Sequence, residues 1–134
     1  SNKRIAEAVA AANTTLTEIP GIGPIAAATI IGYTGDVTRF PTKGHYATDN
    51  ATAPIEASSG SRTRHRLNPR GNRIINHAIH IAAVTQLRHD TKGRAYYDRK
   101  IAEGKTSKEA IRALKRRISD VVYRRLRLDA ATNR

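Results

Sequence analysis

A stretch rich in serine and arginine near the middle of the chain holds the residues best suited to chemistry. Residues 58–61 place three serines around Gly60, and arginines follow closely. These arginines are Arg62, Arg64, Arg66, Arg70 and Arg73. A serine attacks a phosphodiester when a base removes its proton and guanidinium groups stabilise the charge that develops on the phosphate oxygens. The stretch is consistent with that reaction, with Glu56 and His65 as the nearest bases. Because Ser-Gly and Arg are common in basic loops, however, the residues alone favour a loop that only binds phosphate.

The charge of the chain favours a polyanionic partner. Its 24 Lys and Arg residues outnumber 11 Asp and Glu, which gives a formal net charge of +13 in 134 residues. This excess is typical of nucleic-acid-binding proteins, and it does not distinguish an enzyme from a ribosomal or other binding protein. Aromatic residues make up only 4% of the chain, with no Trp. A single-strand binder that stacks bases on aromatic rings is therefore disfavoured.

The residues that are scarce or scattered disfavour several other classes of protein. The chain has no Cys, so disulfides and thiolate metal sites are excluded. No run of about 18 apolar residues predicts a membrane span. His77 and His80 lack an evident third ligand, and the acidic residues form no cluster that could hold two magnesium ions. We therefore expect no cofactor or metal in this chain, an intracellular location and no membrane partner.

The glycine- and proline-rich residues 19–24 predict a turn that leads into a helix. We expect a helix-hairpin-helix-like element over residues 13–35, in which Gly21 and Gly23 let the backbone approach a phosphate. The alternative is a tight helix connection in which the glycines serve only the geometry of the turn. We also expect Thr14 or Thr15 to cap a short helical turn there, with Glu18 completing a capping box from Thr15.

Helical patterns cover most of the remaining chain, and no stretch has a convincing strand pattern. Helices are predicted over residues 3–12, 25–33, 43–48, 69–88 and 94–102, and over a long basic segment that begins with a capping box between Thr106 and Glu109. The serine stretch is expected to be an ordered loop. The buried stripe of the helix at 69–88 is predicted to consist of Ile74, Ile75, Ala78, Ile79, Ala82 and Ala83. The predicted fold is a compact all-α domain with a long basic C-terminal helix.

Six segments in a fixed order give the chain a specific resemblance. They are IPGIGP (19–24), RF (39–40), APIEASSG (53–60), RGNR (70–73), YYDRK (96–100) and ALKRR (113–117). In this order they resemble the C-terminal transposase domain of the bacterial insertion-sequence family one-ten, with one-sixteen and nine-oh-two, over residues 14–126. We therefore expect residues 1–134 to be one such domain from a longer protein, and the start at Ser1-Asn2 to be a cloning scar.

The resemblance implies a composite active site. Members of the family pair an N-terminal RuvC-like domain, whose acidic tetrad binds magnesium, with a C-terminal domain whose serine forms a covalent phosphoserine with DNA. It implies recombination of double-stranded DNA directed by a structured guide RNA, in a homodimer or tetramer of the full-length protein in the bacterial cytoplasm, near the nucleoid. Magnesium is then implied only for the RuvC-like domain, and the isolated chain is expected not to cut DNA.

The resemblance also assigns roles to individual residues. The serine of the family precedes a glycine, which implies Ser59 as the nucleophile, Ser58 as the adjacent alternative and Ser61 as the third choice. The arginines at 62, 64 and 66 are expected to bind the scissile region. Residues expected to position the strand and the following helix are Asn68, Arg70, Asn72 and Arg73. A non-catalytic module that binds nucleic acid or guide RNA is the alternative.

One position departs from the pattern of the family. Similar members carry Asn-Gly before Thr-Ala-Pro, whereas this chain has Asn50-Ala51. If the backbone at this position takes a positive φ, Ala51 strains the turn by about 1 kcal/mol.

Overall fold

The computed structural model describes residue 4, residues 13–54 and residues 69–133, with residues 69–72 as backbone only. These ranges contain five α-helices and no strand, which confirms the all-helical prediction. The helices are α1 (Pro24–Thr34), α2 (Lys43–Asp49), α3 (Pro69–Leu87), α4 (Lys92–Ala102) and α5 (Ser107–Thr132). Two short 3₁₀ turns lie at Leu16–Glu18 and Val37–Arg39. The helix predicted over residues 3–12 lies outside the described residues, except for Arg4.

Threonine caps fix the starts of three helices. Thr42, Thr91 and Thr106 precede α2, α4 and α5, and each side chain accepts a hydrogen bond from an amide in the first turn of its helix. The capping box predicted for α5 is confirmed. The amide of Thr106 donates to the Glu109 carboxylate at 2.9 Å, and the amide of Glu109 donates to Thr106 Oγ1 at 3.1 Å.

The capping box predicted between Thr15 and Glu18 is wrong. The Thr15 side chain does not cap the turn at Leu16–Glu18, and the Leu16 amide donates to the Thr14 hydroxyl at 3.1 Å. Instead, the Thr15 hydroxyl and amide donate to the Asp129 carboxylate of α5 at 3.0 and 2.8 Å, and Glu18 pairs with Arg125 at 2.8 Å. Because Asp129 is 114 residues away along the chain, a tertiary contact replaces the local one.

Helix α5 is central, because α2, α3 and α4 all pack against it. Its buried stripe includes Leu114, Ile118, Val122 and Leu126, which recur at helical spacing. On α3 the predicted stripe is buried at Ile75, Ala78, Ile79, Ala82 and Ala83. Ile74, predicted as part of that stripe, is only half-buried and borders a surface groove.

Three aromatic rings join α2 to α5. Tyr46 is fully buried, with its ring centroid 5.1 Å from that of Phe40 and 5.7 Å from that of Tyr123. The Tyr46 and Thr34 hydroxyls form a hydrogen bond of 2.7 Å, and the Tyr123 hydroxyl donates to the Phe40 carbonyl at 2.5 Å. Their polar ends are therefore satisfied inside the core.

Two glycines allow the turn before α1 and the start of α4 to meet α3 closely. Gly21 has a φ of +90°, and a Cβ added there would lie 2.7 Å from the Cα of Ala82. Buried Gln86, further along α3, donates from Nε2 to the Pro20 carbonyl at 2.9 Å. A Cβ added to Gly93 of α4 would overlap Oε1 of the same Gln86 side chain. The Gln86 side chain therefore hydrogen-bonds the turn before α1 and also occupies the space next to Gly93.

Candidate nucleic-acid interface

The predicted nucleophile and most of its predicted phosphate ligands lie outside the described residues. These are Ser58, Ser59, Ser61, Arg62, Arg64, Arg66 and Asn68, together with the candidate bases Glu56 and His65. Arg70 and Asn72 lie at the start of α3, where the backbone alone is described. Arg73 is exposed and, with His77, borders a largely apolar groove between the starts of α1 and α3. We call residues 55–68 the serine segment.

The two predicted binding glycines before α1 have different surroundings. Gly21 is half-buried, and its packing on α3 accounts for the absence of a side chain. Gly23 is exposed as the N-cap residue of α1, and an added Cβ would meet nothing within 4 Å. Only Gly23 therefore presents its backbone openly to solvent. Nucleic-acid binding by these glycines and the helix-hairpin-helix-like element stay predictions.

A cleft between α4, α5 and the chain that leaves α2 gathers cationic side chains. Its volume is about 530 Å³, and residues 51–54 form one wall. The cations that line it are Lys100, Lys105, Arg112, Lys115 and Arg116. We call it the basic cleft. Because Pro54 is the residue before the serine segment, the basic cleft borders the point at which that segment departs.

The cations of the basic cleft are only partly neutralised. Lys100 forms an ion pair with Glu103, the residue after α4, at 3.4 Å, and Arg116 forms one with Asp120 on α5 at 2.9 Å. Within residues 13–54 and 69–133, none of the ion pairs involves Lys105, Arg112 or Lys115. A concave site with a surplus of positive charge concentrates anions, and a guanidinium can bind two phosphate oxygens at once. The basic cleft therefore has the charge and donor chemistry of a phosphate site.

Glu109, the one acid among the described residues that line the basic cleft, is already hydrogen-bonded. Its carboxylate accepts the Thr106 amide in the capping box. Hydrogen bonding of this carboxylate to the Thr106 amide, and then to the Thr106 side chain, holds the pKa of Glu109 below its ordinary value. Glu109 therefore remains a carboxylate that stabilises the start of α5.

Lys115 is a half-buried ammonium held by a neutral partner. Its Nζ donates to Asn76 Oδ1 at 2.9 Å. Burial lowers the pKa of Lys115 below its ordinary value. Burial likewise lowers the pKa of His80, and the nearby Lys115 charge adds to this shift. An ammonium that has lost part of its hydration gains from binding an anion.

A polar network fixes the chain as it leaves α2. The fully buried Asn50 donates to Ser119 Oγ at 3.0 Å and accepts from the Thr52 amide and hydroxyl at 3.1 and 2.6 Å. Asn76 of α3 donates to the carbonyls of Asn50 and Ala51 at 3.0 and 3.4 Å. Ala51 has a φ of +64°, so the condition for strain at this position is met. Asn76 could not be identified from the sequence, because its contacts are tertiary and leave no local pattern.

An aromatic ring completes the basic cleft. Tyr96 of α4 lines the basic cleft and also packs against the hydrophobic core. The Arg117 guanidinium lies 4.8 Å from the centroid of this ring, and the Lys100 ammonium lies 5.4 Å from it. Such cation–π contacts orient the long side chains without neutralising them.

The donor set of the described residues suits an anion better than a cation. Among the residues that the structure describes, no group of three or more His, Asp or Glu side chains could hold a metal ion. None of the described helices is long and apolar enough to cross a bilayer.

Comparison with known proteins agrees with the resemblance. The chain is 38% identical over 113 residues to an insertion element IS110 protein of Streptomyces coelicolor and 31% identical over 113 residues to an insertion element IS116 protein of Streptomyces clavuligerus. It is 33% identical over 114 residues to an insertion element IS900 protein of Mycobacterium paratuberculosis. Each alignment covers 84% of this chain but only 28 or 29% of the relative. No solved structure matches significantly.

The family match covers the glycine turn, the serine segment and helices α1 to α3. It extends over residues 13–98, and the family is described as the transposase IS116/IS110/IS902 family. Because this match covers more than half of the chain, and the relatives align over most of it, the chain belongs to the transposase IS116/IS110/IS902 family.

Proposed function

We propose that this chain supplies the serine nucleophile and part of the DNA-binding surface of an insertion-sequence transposase that cleaves and rejoins DNA. Membership of the family supports the transposase activity. The observation that carries the proposal is the basic cleft, which is lined by five described cations and by Pro54, the residue before the serine segment. Phosphodiesters are the anions that such a combination of hydroxyl and cations would serve.

Ser59 is the proposed nucleophile, and its reaction conserves the phosphate ester. The bond between Ser59 Oγ and phosphorus forms as the bond from phosphorus to the departing deoxyribose oxygen breaks. The serine proton passes to a base such as Glu56 or His65, and the departing oxygen takes up a proton. A deoxyribose hydroxyl then attacks the phosphoserine, releases Ser59 and joins the strands. Magnesium bound by the RuvC-like domain would neutralise further charge.

The cations of the basic cleft would bind the phosphates that flank the reacting one. Arg112 is exposed and can contact two oxygens of one phosphate, while Lys105 and Lys115 offer single ammonium donors. Contacts of this kind hold the strand in register but do not read its sequence. Choice of the DNA target would therefore depend on other parts of the assembly, such as the guide RNA.

The deciding experiment uses the full-length protein and a nicked DNA substrate that traps a protein–DNA adduct. Ser59→Ala should abolish the adduct, whereas Ser58→Ala and Ser61→Ala should retain it. Loss in Ser58→Ala alone would assign the nucleophile to the neighbouring serine. An adduct that survives all three substitutions would refute serine catalysis. The isolated chain should bind DNA in a salt-dependent way without cutting it when magnesium is added.

A second candidate is a non-catalytic module that binds guide RNA or another subunit. The basic cleft favours it too, because its described cations would bind RNA phosphates as well as DNA phosphates. In this case Ser59→Ala leaves recombination by the full-length protein intact. Arg112→Ala would then weaken the complex with RNA more than the complex with DNA.

A further inference from the structure

Asn76 connects the basic cleft to the start of the serine segment. Its Nδ2 donates to the Asn50 and Ala51 carbonyls at 3.0 and 3.4 Å, and its Oδ1 accepts from Lys115 Nζ at 2.9 Å. A primary amide can donate and accept in this way at the same time. Asn76 lies on α3, which follows the serine segment, whereas Asn50 and Ala51 precede it. One side chain therefore ties together the two flanks of that segment.

The backbone that Asn76 holds is strained. Ala51 has a φ of +64°, a region that costs a residue with a side chain about 1–2 kcal/mol. Strained backbone persists where its surroundings impose it. The Asn50 side chain does so through Ser119 and Thr52, and Asn76 does so through the two carbonyls. Loss of the Asn76 amide would leave the exit from α2 held from one side only.

We propose that Asn76 is a positioning residue for the reaction of the serine segment. It fixes the path on which the chain enters that segment, and it aims the Lys115 ammonium into the basic cleft to bind a backbone phosphate of the DNA. Asn76 thus positions both the chain that leads into the serine segment and the Lys115 ammonium that binds phosphate. This inference rests on the proposed function, because it concerns the same site.

Substitutions separate the two roles of Asn76. Asn76→Asp keeps an oxygen for Lys115 but removes the N–H donors and sets a carboxylate against two carbonyl oxygens. Lys115→Met removes the ammonium, keeps an unbranched apolar side chain and leaves the amide able to donate to the carbonyls. The first change tests the anchoring of the chain, and the second tests the contact with phosphate.

The test measures two quantities in the full-length protein with nicked DNA. They are the Kd for DNA and the single-turnover rate of adduct formation at saturating DNA. Asn76→Asp should lower this rate by roughly 10- to 100-fold, because small displacements of reacting groups are costly. Its new carboxylate pairs with Lys115, so binding should also weaken, but no more than it does in Lys115→Met. Lys115→Met should weaken binding, with a salt slope shallower by about one, while the rate at saturation changes little. The opposite pattern for the two variants overturns the proposal.

Gln86→Glu is the matched control for a purely structural effect. It is also an amide-to-acid change on α3 that removes a donor to a distant carbonyl, in this case that of Pro20 in the glycine turn. If Asn76→Asp slows the reaction no more than Gln86→Glu does at the same loss of Tm, Asn76 has no positioning role. Asn76→Ala should reproduce the loss of rate without adding a charge, and it covers the case in which Asn76→Asp does not fold.

The outcomes distinguish this inference from the proposed function. If the wild-type protein forms no serine adduct, the proposed function fails and the role of Asn76 fails with it. If the wild-type adduct forms and disappears in Ser59→Ala, but Asn76→Ala reacts at the wild-type rate, only the role of Asn76 is overturned.

Discussion

Replacing Ala51 with glycine should stabilise the protein. Ala51 has a φ of +64°, which costs a non-glycine residue about 1–2 kcal/mol. Glycine relieves this strain, while its greater freedom in the unfolded chain costs about 0.5–1 kcal/mol. The Ala51 side chain is exposed, so its removal sacrifices no core packing, and the carbonyl that accepts from Asn76 is retained. The free energy of unfolding should therefore rise by about 0.5–1 kcal/mol.

The assay is urea unfolding, with Ala95→Gly as the matched control. Ala95 is also exposed, but it lies within α4, where glycine lowers the free energy of unfolding by about 1 kcal/mol. The urea midpoints of the two variants should shift in opposite directions at an unchanged m value, and their stabilities should differ by about 1.5–2 kcal/mol. If Ala51→Gly loses as much stability as Ala95→Gly, the backbone at position 51 is not strained.

Three other perturbations test the packing, a buried titration and the basic cleft. Gly21→Ala should lower the free energy of unfolding by about 2–5 kcal/mol, because the added Cβ would lie 2.7 Å from the main chain of Ala82 and the backbone φ is +90°. The control Gly23→Ala places its Cβ in open space and should have little effect. Equal losses in urea unfolding would contradict this reasoning. Burial raises the pKa of Tyr46 to about 12, so the folded state holds this proton more tightly than the unfolded state does, where the pKa is about 10. The contribution of this proton to the free energy of unfolding is fully present below pH 10 and is lost as the pH rises towards 12. Unfolding measured as a function of pH should detect this decline in the wild-type protein and not in Tyr46→Phe. Arg112→Ala should make the salt dependence of DNA binding shallower by about one in log–log slope without changing Tm, and an unchanged slope would remove Arg112 from the interface.

The helices could be predicted because their determinants are local. Pro24 and Pro69 begin helices where a missing amide costs nothing, and the capping box of α5 joins residues three positions apart. The local prediction failed at Thr15, whose hydroxyl meets a carboxylate from the far end of α5. A pattern within a few residues cannot indicate such a competitor.

The candidate site could be predicted only in part. The net charge and the serine segment point to a phosphodiester, and Ser59 stays a prediction. The basic cleft forms because α4 packs on α5, which brings Lys105 beside Arg112 and the chain that leaves α2. The bonds of Asn76 to Asn50 and Lys115 span 26 and 39 residues, so a single asparagine on a helical pattern gave no sign of them.

The close fit of Gly93 against Gln86 limits how this sequence can diverge. A homologue with alanine at position 93 needs either a displaced Gln86 side chain or a shorter side chain at position 86, because the added Cβ would otherwise overlap Gln86 Oε1. A shorter side chain at 86 in turn deprives the carbonyl at position 20 of its donor. Positions 86 and 93 should therefore covary in the family, and the turn around position 20 should acquire a new donor whenever they change. A substitution at the start of α4 therefore affects which substitutions the glycine turn before α1 can tolerate.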